Sequence, residues 1–209
     1  MTERETTEAK LLEAGIALFG ELGFKATTTR MIADKAGANI GSIAYYFGNK
    51  QGLYLAIVGQ ISRRILEKLS YAQMPDPQPL SASQARDMLT QTLHRMIDVF
   101  ATDAEAEKWL MLVLREQVSP TQAFEALYEN AFSRVQNFLC VLVAKICDAS
   151  PHSREVILQT HMLVGQVTFL LVGRTPLLRR LGSQQTSLSP AAMESAKAIV
   201  ARQVQTLNV

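Results

Sequence analysis

Apolar residues recur at every third or fourth position along almost the whole chain, and this spacing restricts the fold more than any other feature. Leu11, Ile16 and Phe19 belong to one such stripe, and Gly23 follows it as a natural helix C-cap. An Asn-Gly or Asp-Gly pair, the usual hairpin signal, occurs nowhere in the 209 residues. The pattern therefore predicts an all-α protein.

Serine and proline residues mark where the predicted helices begin and end. Three Ser-Pro pairs, starting at residues 119, 150 and 189, place a capping hydroxyl before a proline that suits the first helical position. The proline-rich run at 75–79 cannot be helical and predicts a stiff linker, and a second break near 173–187 contains one short helix at 177–181. We therefore expect helices at about 6–22, 28–36, 40–46, 50–73, 81–101, 103–118, 120–147, 151–172 and 190–207.

The composition is typical of a globular protein. With 48% hydrophobic residues, the chain is long enough for a well-buried core in one domain or two small ones. Its 21 basic and 19 acidic residues leave a net charge of +2, which excludes a polyanion binder that works through a basic tail. Cys140 and Cys147 are too few for a disulfide framework and lie roughly 10 Å apart along a helix, so we expect small buried side chains in a reducing compartment.

Two segments bear on the cellular location. The charged N-terminus, MTERETTEAK, has no apolar stretch of the kind found in secretory signals. Residues 156–173 carry no charge, but Gln159, His161 and Gln166 give them a poor composition for contact with lipid. A helix largely buried in protein fits better, so we expect a soluble cytoplasmic protein without a membrane partner.

Residues 24–54 carry the clearest functional pattern. A helix of about two turns, capped by Thr28 or Thr29, is followed by a tight turn at Gly37 and by a second short helix. Ile32 and Ile43 face inward from these two helices. This arrangement is typical of a helix-turn-helix, whose second helix enters the major groove of DNA.

The distribution of charge along the chain supports a nucleic-acid partner more strongly than the net charge of +2 does. Residues 1–23 hold two basic and five acidic side chains, a net charge of −3. Residues 24–54 hold Lys25, Arg30, Lys35 and Lys50 against Asp34, a net charge of +3. A small basic segment is thus carried by a nearly neutral chain, as expected if only this segment contacts phosphate.

This segment resembles the TetR/AcrR family of one-component transcriptional regulators. The resemblance covers about residues 8–56 and rests on the run from Thr27 to Gly37, then on Tyr45-Tyr46-Phe47 and Gly48-Asn49-Lys50. It implies a helix-turn-helix DNA-binding domain of three helices at 1–54 and a helical bundle for effector binding and dimerisation at 55–209. The residues that the family uses at DNA correspond to Thr28, Thr29, Arg30, Ile40, Gly41, Ser42, Ala44, Tyr45, Tyr46 and Lys50.

Physical chemistry suggests a role for some of these residues. The hydroxyl of Thr28 and the ammonium of Lys50 suit phosphates, whereas Arg30 suits a bidentate contact with guanine. Ile40 and Gly48 stand where the family often has lysine, so we expect a shallow dependence of binding on salt.

Alternative roles remain open for several of these residues. Thr28 also suits simple N-capping, Tyr46 suits packing as well as a phosphate contact, and Tyr45 is expected to point outward. Because Ala44 lacks a large side chain, DNA shape is expected to contribute to specificity.

The second half resembles the CecR (YbiH)-type C-terminal domain. Residues 115–121 and the pattern Thr160-His161 followed by Gly165 carry this resemblance, which implies control of transporter or efflux genes. An effector pocket is expected among the helices at 81–101, 103–118, 120–147 and 151–172. Its candidate residues are Met88, Met96, Trp109, Arg115, Phe124, Phe138, His161 and Phe169.

Each pocket candidate has a plainer alternative. The apolar residues suit a core equally well, Arg115 suits a surface salt bridge or a helix end, and His161 suits a satisfied core position. The histidines and cysteines lack the spacing of a metal site, so no metal or other cofactor is expected.

Dimerisation would use the last two long helices, as in the family. The candidate interface residues are Leu163, Val164, Gly165, Val167, Leu171, Ile199, Val200 and Val204, with packing inside one subunit as the alternative.

The sequence therefore predicts a homodimeric regulator, most simply a repressor, that binds double-stranded operator DNA and responds to a small-molecule effector. A constitutive DNA-architectural protein is the first alternative. A helical-bundle enzyme is a weaker one, because the chain has no paired-carboxylate site, phosphate loop or nucleophile motif.

Overall fold

The computed structural model describes residues 3–102 and 104–208, and every regular element in these residues is helical. The prediction of an all-α chain is confirmed. The α-helices are α1 (Glu3–Ala26), α2 (Thr29–Ala36), α3 (Gly41–Phe47), α4 (Lys50–Lys68), α5 (Ala82–Thr102), α6 (Ala104–Val118), α7 (Gln122–Leu127), α8 (Ser133–Cys147), α9 (Arg154–Val172), α10 (Arg174–Arg180) and α11 (Pro190–Gln205).

Beyond shifts of a few residues, such as α1 at Glu3–Ala26 for the expected 6–22, the helix ends differ from the sequence prediction in three places. The helix expected at 120–147 is divided into α7, a π-helical turn at Tyr128–Phe132 and α8. The helix expected at 50–73 ends at Lys68 and is followed by a 3-10 turn at Tyr71–Gln73. Of the three Ser-Pro caps, only Ser189 is the observed N-cap, because Thr121 and Ser153 cap α7 and α9 instead.

The chain forms two compact units. The first comprises Met1–Ile65 and Ala104–Phe132, and the second comprises Leu66–Asp103 and Ser133–Val209. The first unit includes α6, which packs along α1. The functional division at residue 54 stays a prediction.

An aromatic cluster lies in the core of the first unit. The ring of Phe19 stacks on Phe24 with 5.7 Å between centroids and meets Tyr54 edge-on at 4.9 Å. Phe19 and Tyr54 expose only 1% and 3% of their surface. The cluster therefore joins α1 to the beginning of α4 through buried rings.

The core of the second unit is built around α5, which packs against α8, α9 and α11. The Arg86 guanidinium of α5 donates to the carbonyls of Val204, Gln205 and Leu207, so it satisfies the carbonyls at the end of α11. Seven side chains of α8 are buried: Val135, Phe138, Leu139, Leu142, Val143, Ala144 and Ile146.

Among the described residues, α9 is the one helix with the length and apolar character to span a membrane. The sequence predicts that this helix is largely buried in protein, but only 28% of its most apolar window is buried in the single chain. The same helix contributes five buried residues to the second unit: Val156, Thr160, Leu163, Val167 and Leu171.

Candidate nucleic-acid interface

Caps at both ends hold α2 in place. The Thr28 hydroxyl accepts a hydrogen bond from the Met31 amide at 3.2 Å, so Thr28 rather than its neighbour is the N-cap. At the other end Gly37 has a φ of 61°, and its amide donates to the carbonyl of Ala33. A helix of only eight residues is therefore fixed by its own termini.

The turn after α2 sets the start of α3. The Asn39 side-chain oxygen accepts a hydrogen bond from the Gly41 amide at 2.8 Å. Ile32 of α2 and Ile43 of α3 are buried beside the small side chain of Ala33, and α1 packs against both helices. The predicted helix-turn-helix is present.

Most residues predicted to contact DNA are exposed. Tyr45 exposes 70% of its surface and Ile40 exposes 47%, and the Tyr45 ring lies edge-on to Tyr46 at 5.0 Å between centroids. Within the set, the exposed members are Thr28, Arg30, Ile40, Gly41, Ala44 and Tyr45, and the partly buried members are Thr29, Ser42, Tyr46 and Lys50. The structure thus brings the set together on one motif, and its contact with DNA stays a prediction.

Lys50 has internal partners that the sequence did not indicate. Its ammonium donates to the carbonyls of Phe24 and Thr27, each at 3.0 Å, and lies 4.3 Å from the centroid of the Phe24 ring. An ammonium has three donors, so these bonds leave one N–H for an outside group. Lys50 therefore holds the connection between α1 and α2, whatever it contacts on DNA.

This connection begins with a break in α1. Gly23 has φ 81° and ψ 168°, a conformation essentially restricted to glycine, so the sequence expectation of a stop at this residue matches the backbone. The buried Thr27 hydroxyl lies 2.8 Å from the carbonyl of Gly23 and 3.2 Å from that of Leu18. A break in a helix frees carbonyls, and Thr27 satisfies that of Gly23 through its hydroxyl and through its amide, at 3.3 Å.

Arg115 of α6 satisfies two more carbonyls at the same break. Its Nε donates to the carbonyl of Gly20 at 3.3 Å, and its Nη2 donates to that of Glu21 at 3.0 Å. The sequence offered Arg115 as an effector anchor or as a helix-end residue. The structure places its guanidinium at a helix end, that of α1.

The neighbouring carboxylate of Glu116 is buried, with 2% of its surface exposed. It accepts hydrogen bonds from the Tyr54 hydroxyl at 2.6 Å, from the Thr121 amide at 3.1 Å and from the Thr121 hydroxyl at 2.9 Å. Burial, together with the bond to Glu116, raises the pKa of the Tyr54 phenol well above its ordinary value of 10.0. The Tyr54 phenol therefore stays protonated near neutral pH, where it donates to Glu116.

Sequence reasoning missed this role of Glu116, although one signal was present. A glutamate near the end of an apolar helix, five residues before a threonine that begins another helix, is suited to cap that helix. The partnership with Tyr54 links residues 62 positions apart and leaves no local trace.

The residues predicted for the effector pocket fall in both units. Trp109, Arg115 and Phe124 belong to the first unit, and the other five belong to the second. Their burial also differs. Met96, Trp109 and Phe138 are buried, and Met88 and Phe124 are partly buried. Arg115, His161 and Phe169 are exposed. No group of three potential metal-ligating residues occurs in the described part of the chain.

The residues predicted for the dimer interface are mostly buried within their own chain. Leu163, Val167, Leu171, Val200 and Val204 expose 7% of their surface or less, so they pack internally, which was the stated alternative. Gly165 and Ile199 are exposed, and Val164 is partly buried. The exposed apolar side chains of α9 lie beside the predicted ones, and they are Ile157, Leu158, Met162, Phe169 and Val172.

Comparison with known proteins finds a family match for each of two segments of the chain. Residues 11–57 match the model of a family described as "Bacterial regulatory proteins, tetR family". Residues 85–207 match that of the "HTH-type transcriptional dual regulator CecR, C-terminal domain".

Individual relatives agree with the family models. The HTH-type transcriptional dual regulator CecR of Shigella flexneri is 34% identical over 184 residues, which cover 85% of this chain and 81% of that protein. The regulator BetI of Stenotrophomonas maltophilia is 38% identical over 61 residues, 29% of this chain and 31% of that one. A TetR-like regulator from Rhodococcus sp. RHA1 has the same fold, with a TM-score of 0.68 at 21% identity over 98% of this chain and 97% of that one.

The helix-turn-helix and these matches define a DNA-binding transcriptional regulator, and the chain belongs to the TetR family. More particularly, its second half is a CecR-type C-terminal domain. This family is not a family of enzymes, so the enzyme alternative is set aside.

Proposed function

We propose that the protein is a cytoplasmic homodimeric repressor that releases a near-palindromic operator when a small molecule binds its second unit. The observation that carries the proposal is the capped α2–α3 motif, which exposes Arg30 in the first turn of α2 and Tyr45 on α3. The predicted readers of DNA are thus supported by a rigid framework and are accessible to solvent.

The operator is tested by selecting bound fragments from the source genome and footprinting them. We expect a protected site with two half-sites about 34–36 Å apart, one helical turn of DNA, or a multiple of this distance. Target genes for a transporter would support the predicted regulon, whereas unrelated fragments bound with equal affinity would reject a specific operator.

A dimer is supported by the exposed face of α9. Leu158, Met162, Gly165, Phe169 and Val172 follow one another at intervals of four, three, four and three residues, which places them in a single stripe. The four side chains expose between 46% and 67% of their surface, and a Cβ built on Gly165 meets no atom within 4 Å. An apolar stripe with this spacing suits a second copy of the same helix across a two-fold axis.

The dimer is tested by sedimentation equilibrium of Phe169→Arg. A charge in the centre of the stripe is expected to shift the protein from dimer to monomer and to weaken operator binding, because each half-site alone gives little affinity. Leu181→Arg, at a residue that exposes 57% of its surface outside α9, is the matched control. If Phe169→Arg remained as dimeric as Leu181→Arg, the stripe would have no part in assembly.

An effector site in the second unit is supported by two buried hydroxyls. Thr90 of α5 and Thr160 of α9 each carry a buried Oγ1 without a hydrogen-bond partner among the described residues, and α5 packs against α9. Buried polar atoms ordinarily form hydrogen bonds. A ligand with a hydrogen-bonding group would therefore supply the partner that these two hydroxyls lack. We take α4, whose residues belong to both units, as the lever that couples the effector to the reading helices.

The effector site is tested by thermal shift against substrates of the transporter whose genes flank the selected operator. Binding is expected to raise the melting temperature and to lower operator affinity, and Thr160→Val should reduce both effects. The relative from Shigella flexneri is named a dual regulator, so transcription is measured in both directions. A constitutive architectural protein, the alternative, would show no ligand-induced shift at all.

A further inference from the structure

Two adjacent side chains at the end of α6 reach different parts of the DNA-binding motif. Arg115 bonds to the carbonyls of Gly20 and Glu21 at the break in α1, and Glu116 bonds to the hydroxyl of Tyr54 in the second turn of α4. All of these residues belong to the first unit. The contacts are therefore internal to the unit that carries the reading helix.

The break in α1 decides where α2 begins. Gly23 turns the chain, Thr27 closes the turn, and the N-cap Thr28 follows directly. A Cβ built on Gly23 would lie 3.3 Å from the Nη1 of Arg115, so the guanidinium packs over the turn as well as bonding beside it. Loss of Arg115 would free two carbonyls next to the residues that fix the start of α2.

The beginning of α4 decides where α3 ends. Only Gly48 and Asn49 separate α3 from Lys50, and Tyr54 follows four residues later on α4. The bond from Tyr54 to the buried Glu116 thus fixes the first turns of α4 against α6. The same carboxylate binds the amide and hydroxyl of Thr121, which orients it from the other side.

We propose that Arg115 and Glu116 are positioning residues for DNA recognition, which hold the two chain segments that flank the reading helices. Arg115 fixes the segment before α2, and Glu116 fixes the segment after α3. The inference rests on the proposed operator binding.

The test compares specific with non-specific DNA binding in Arg115→Met and Arg63→Met. Both variants remove one positive charge from the first unit, but Arg63 is exposed and makes no hydrogen bond to the described residues. A role in positioning predicts that Arg115→Met lowers operator affinity about tenfold while binding to random DNA matches that of Arg63→Met. Arg115→Lys, which keeps the charge but not the forked donors, should recover only part of the loss.

If Arg115→Met does not fold, Tyr54→Phe serves as a second variant. It removes only one hydroxyl group and is expected to keep the fold. It is combined with Glu116→Gln in a double-mutant cycle on operator affinity, with the melting temperature measured for every variant. We expect each change to lower the ratio of specific to non-specific DNA affinity. Because the two groups bond to each other, the loss in the double variant should be smaller than the sum of the two single losses.

The outcomes separate the two proposals. Failure of the wild-type chain to prefer any genomic fragment would reject the proposed operator binding. If the wild type binds its operator, and Arg115→Met and Tyr54→Phe bind it as tightly as Arg63→Met does, then these residues have no role in positioning.

Discussion

Arg30 and Arg115 lie in the same unit and were both candidates for ligand binding, yet the structure uses them differently. Arg115 donates to two backbone carbonyls, whereas Arg30 makes no hydrogen bond or ion pair to the described residues. Both side chains are exposed, so burial does not explain the difference.

The difference comes from the backbone groups within reach. Arg30 is the second residue of α2, where the free groups of the helix are N–H donors, and a guanidinium has no use for donors. Arg115 lies beside the broken end of α1, where the free groups are carbonyl acceptors. An arginine near a helix N-terminus therefore stays available for an outside anion, and one near a C-terminal break becomes part of the fold.

The contrast between Arg30 and Arg115 is tested first by Arg30→Ala, for which we expect the largest effect, a loss of DNA affinity. A lost bidentate base contact is expected to lower operator affinity roughly 5- to 150-fold, the equivalent of about 1–3 kcal/mol, and to relax sequence preference at one base pair. The free energy of unfolding should change by no more than about 0.5 kcal/mol, because Arg30 has no partner in the described structure. Operator affinity and sequence preference are measured by fluorescence anisotropy, with the operator and with sites that carry single base-pair substitutions. Equal weakening on every sequence would make Arg30 a phosphate contact.

An effect of comparable size, on stability instead of DNA binding, is expected at the break in α1. Gly23→Ala places a side chain at φ 81°, which should lower the free energy of unfolding by about 1–3 kcal/mol. Urea denaturation measures this change. Gly48→Ala is the control, since a Cβ on Gly48 also meets a positive φ, of 76°, but has no atom within 4 Å. A Gly23→Ala protein no less stable than Gly48→Ala would mean that the contact with Arg115 adds nothing.

Two adjacent threonines provide a finer comparison. Thr27→Val removes a buried hydroxyl that bonds to carbonyls, so about 1 kcal/mol or more of stability should be lost. Thr28→Val removes an exposed cap, which is expected to cost a similar amount at most and to weaken binding to all DNA sequences. Measuring stability and DNA affinity for both variants separates the two roles. A loss of affinity confined to Thr27→Val would reverse the assignment.

The smallest effect concerns alkaline pH. Because the pKa of Tyr54 is raised in the folded state, its contribution to stability is complete below its unfolded value of 10.0 and is lost as the pH rises above it. We expect stability to fall more steeply above about pH 10 in the wild type than in Tyr54→Phe, which has no phenol to ionise at this position. Parallel urea titrations measure the difference, and identical slopes would argue against the buried bond to Glu116.

Local patterns explain why the reading motif was predictable. The caps of α2, the turn at Gly37 and the inward Ile32 and Ile43 all depend on residues within a few positions of one another. The partners of Lys50 and Arg115 and the Tyr54 partner of Glu116 lie 23 to 95 positions away, and no sequence spacing signals them.

The proposed interface on α9 could not be assigned from the sequence for a different reason. The helix has no charged residue between Glu155 and Gly173, so apolar side chains surround it and no polar face shows which side meets the core. Leu163 and Met162 are adjacent and similar in hydrophobicity, yet the first is 6% exposed and the second 67%. Only packing against α5 and α8 distinguishes them.

The discontinuity of the first unit has a consequence for biosynthesis. Its helix-turn-helix is complete once residue 65 has been made, but α6, with Arg115 and Glu116, follows only after some forty to fifty further residues. At ribosomal rates of about 5–20 residues per second, that interval lasts several seconds. During this time the carbonyls of Gly20 and Glu21 and the Tyr54 hydroxyl lack their partners on α6. Under the proposed roles, the chain gains its specific grip on DNA only after both α6 and the proposed dimer helix α9 have been made.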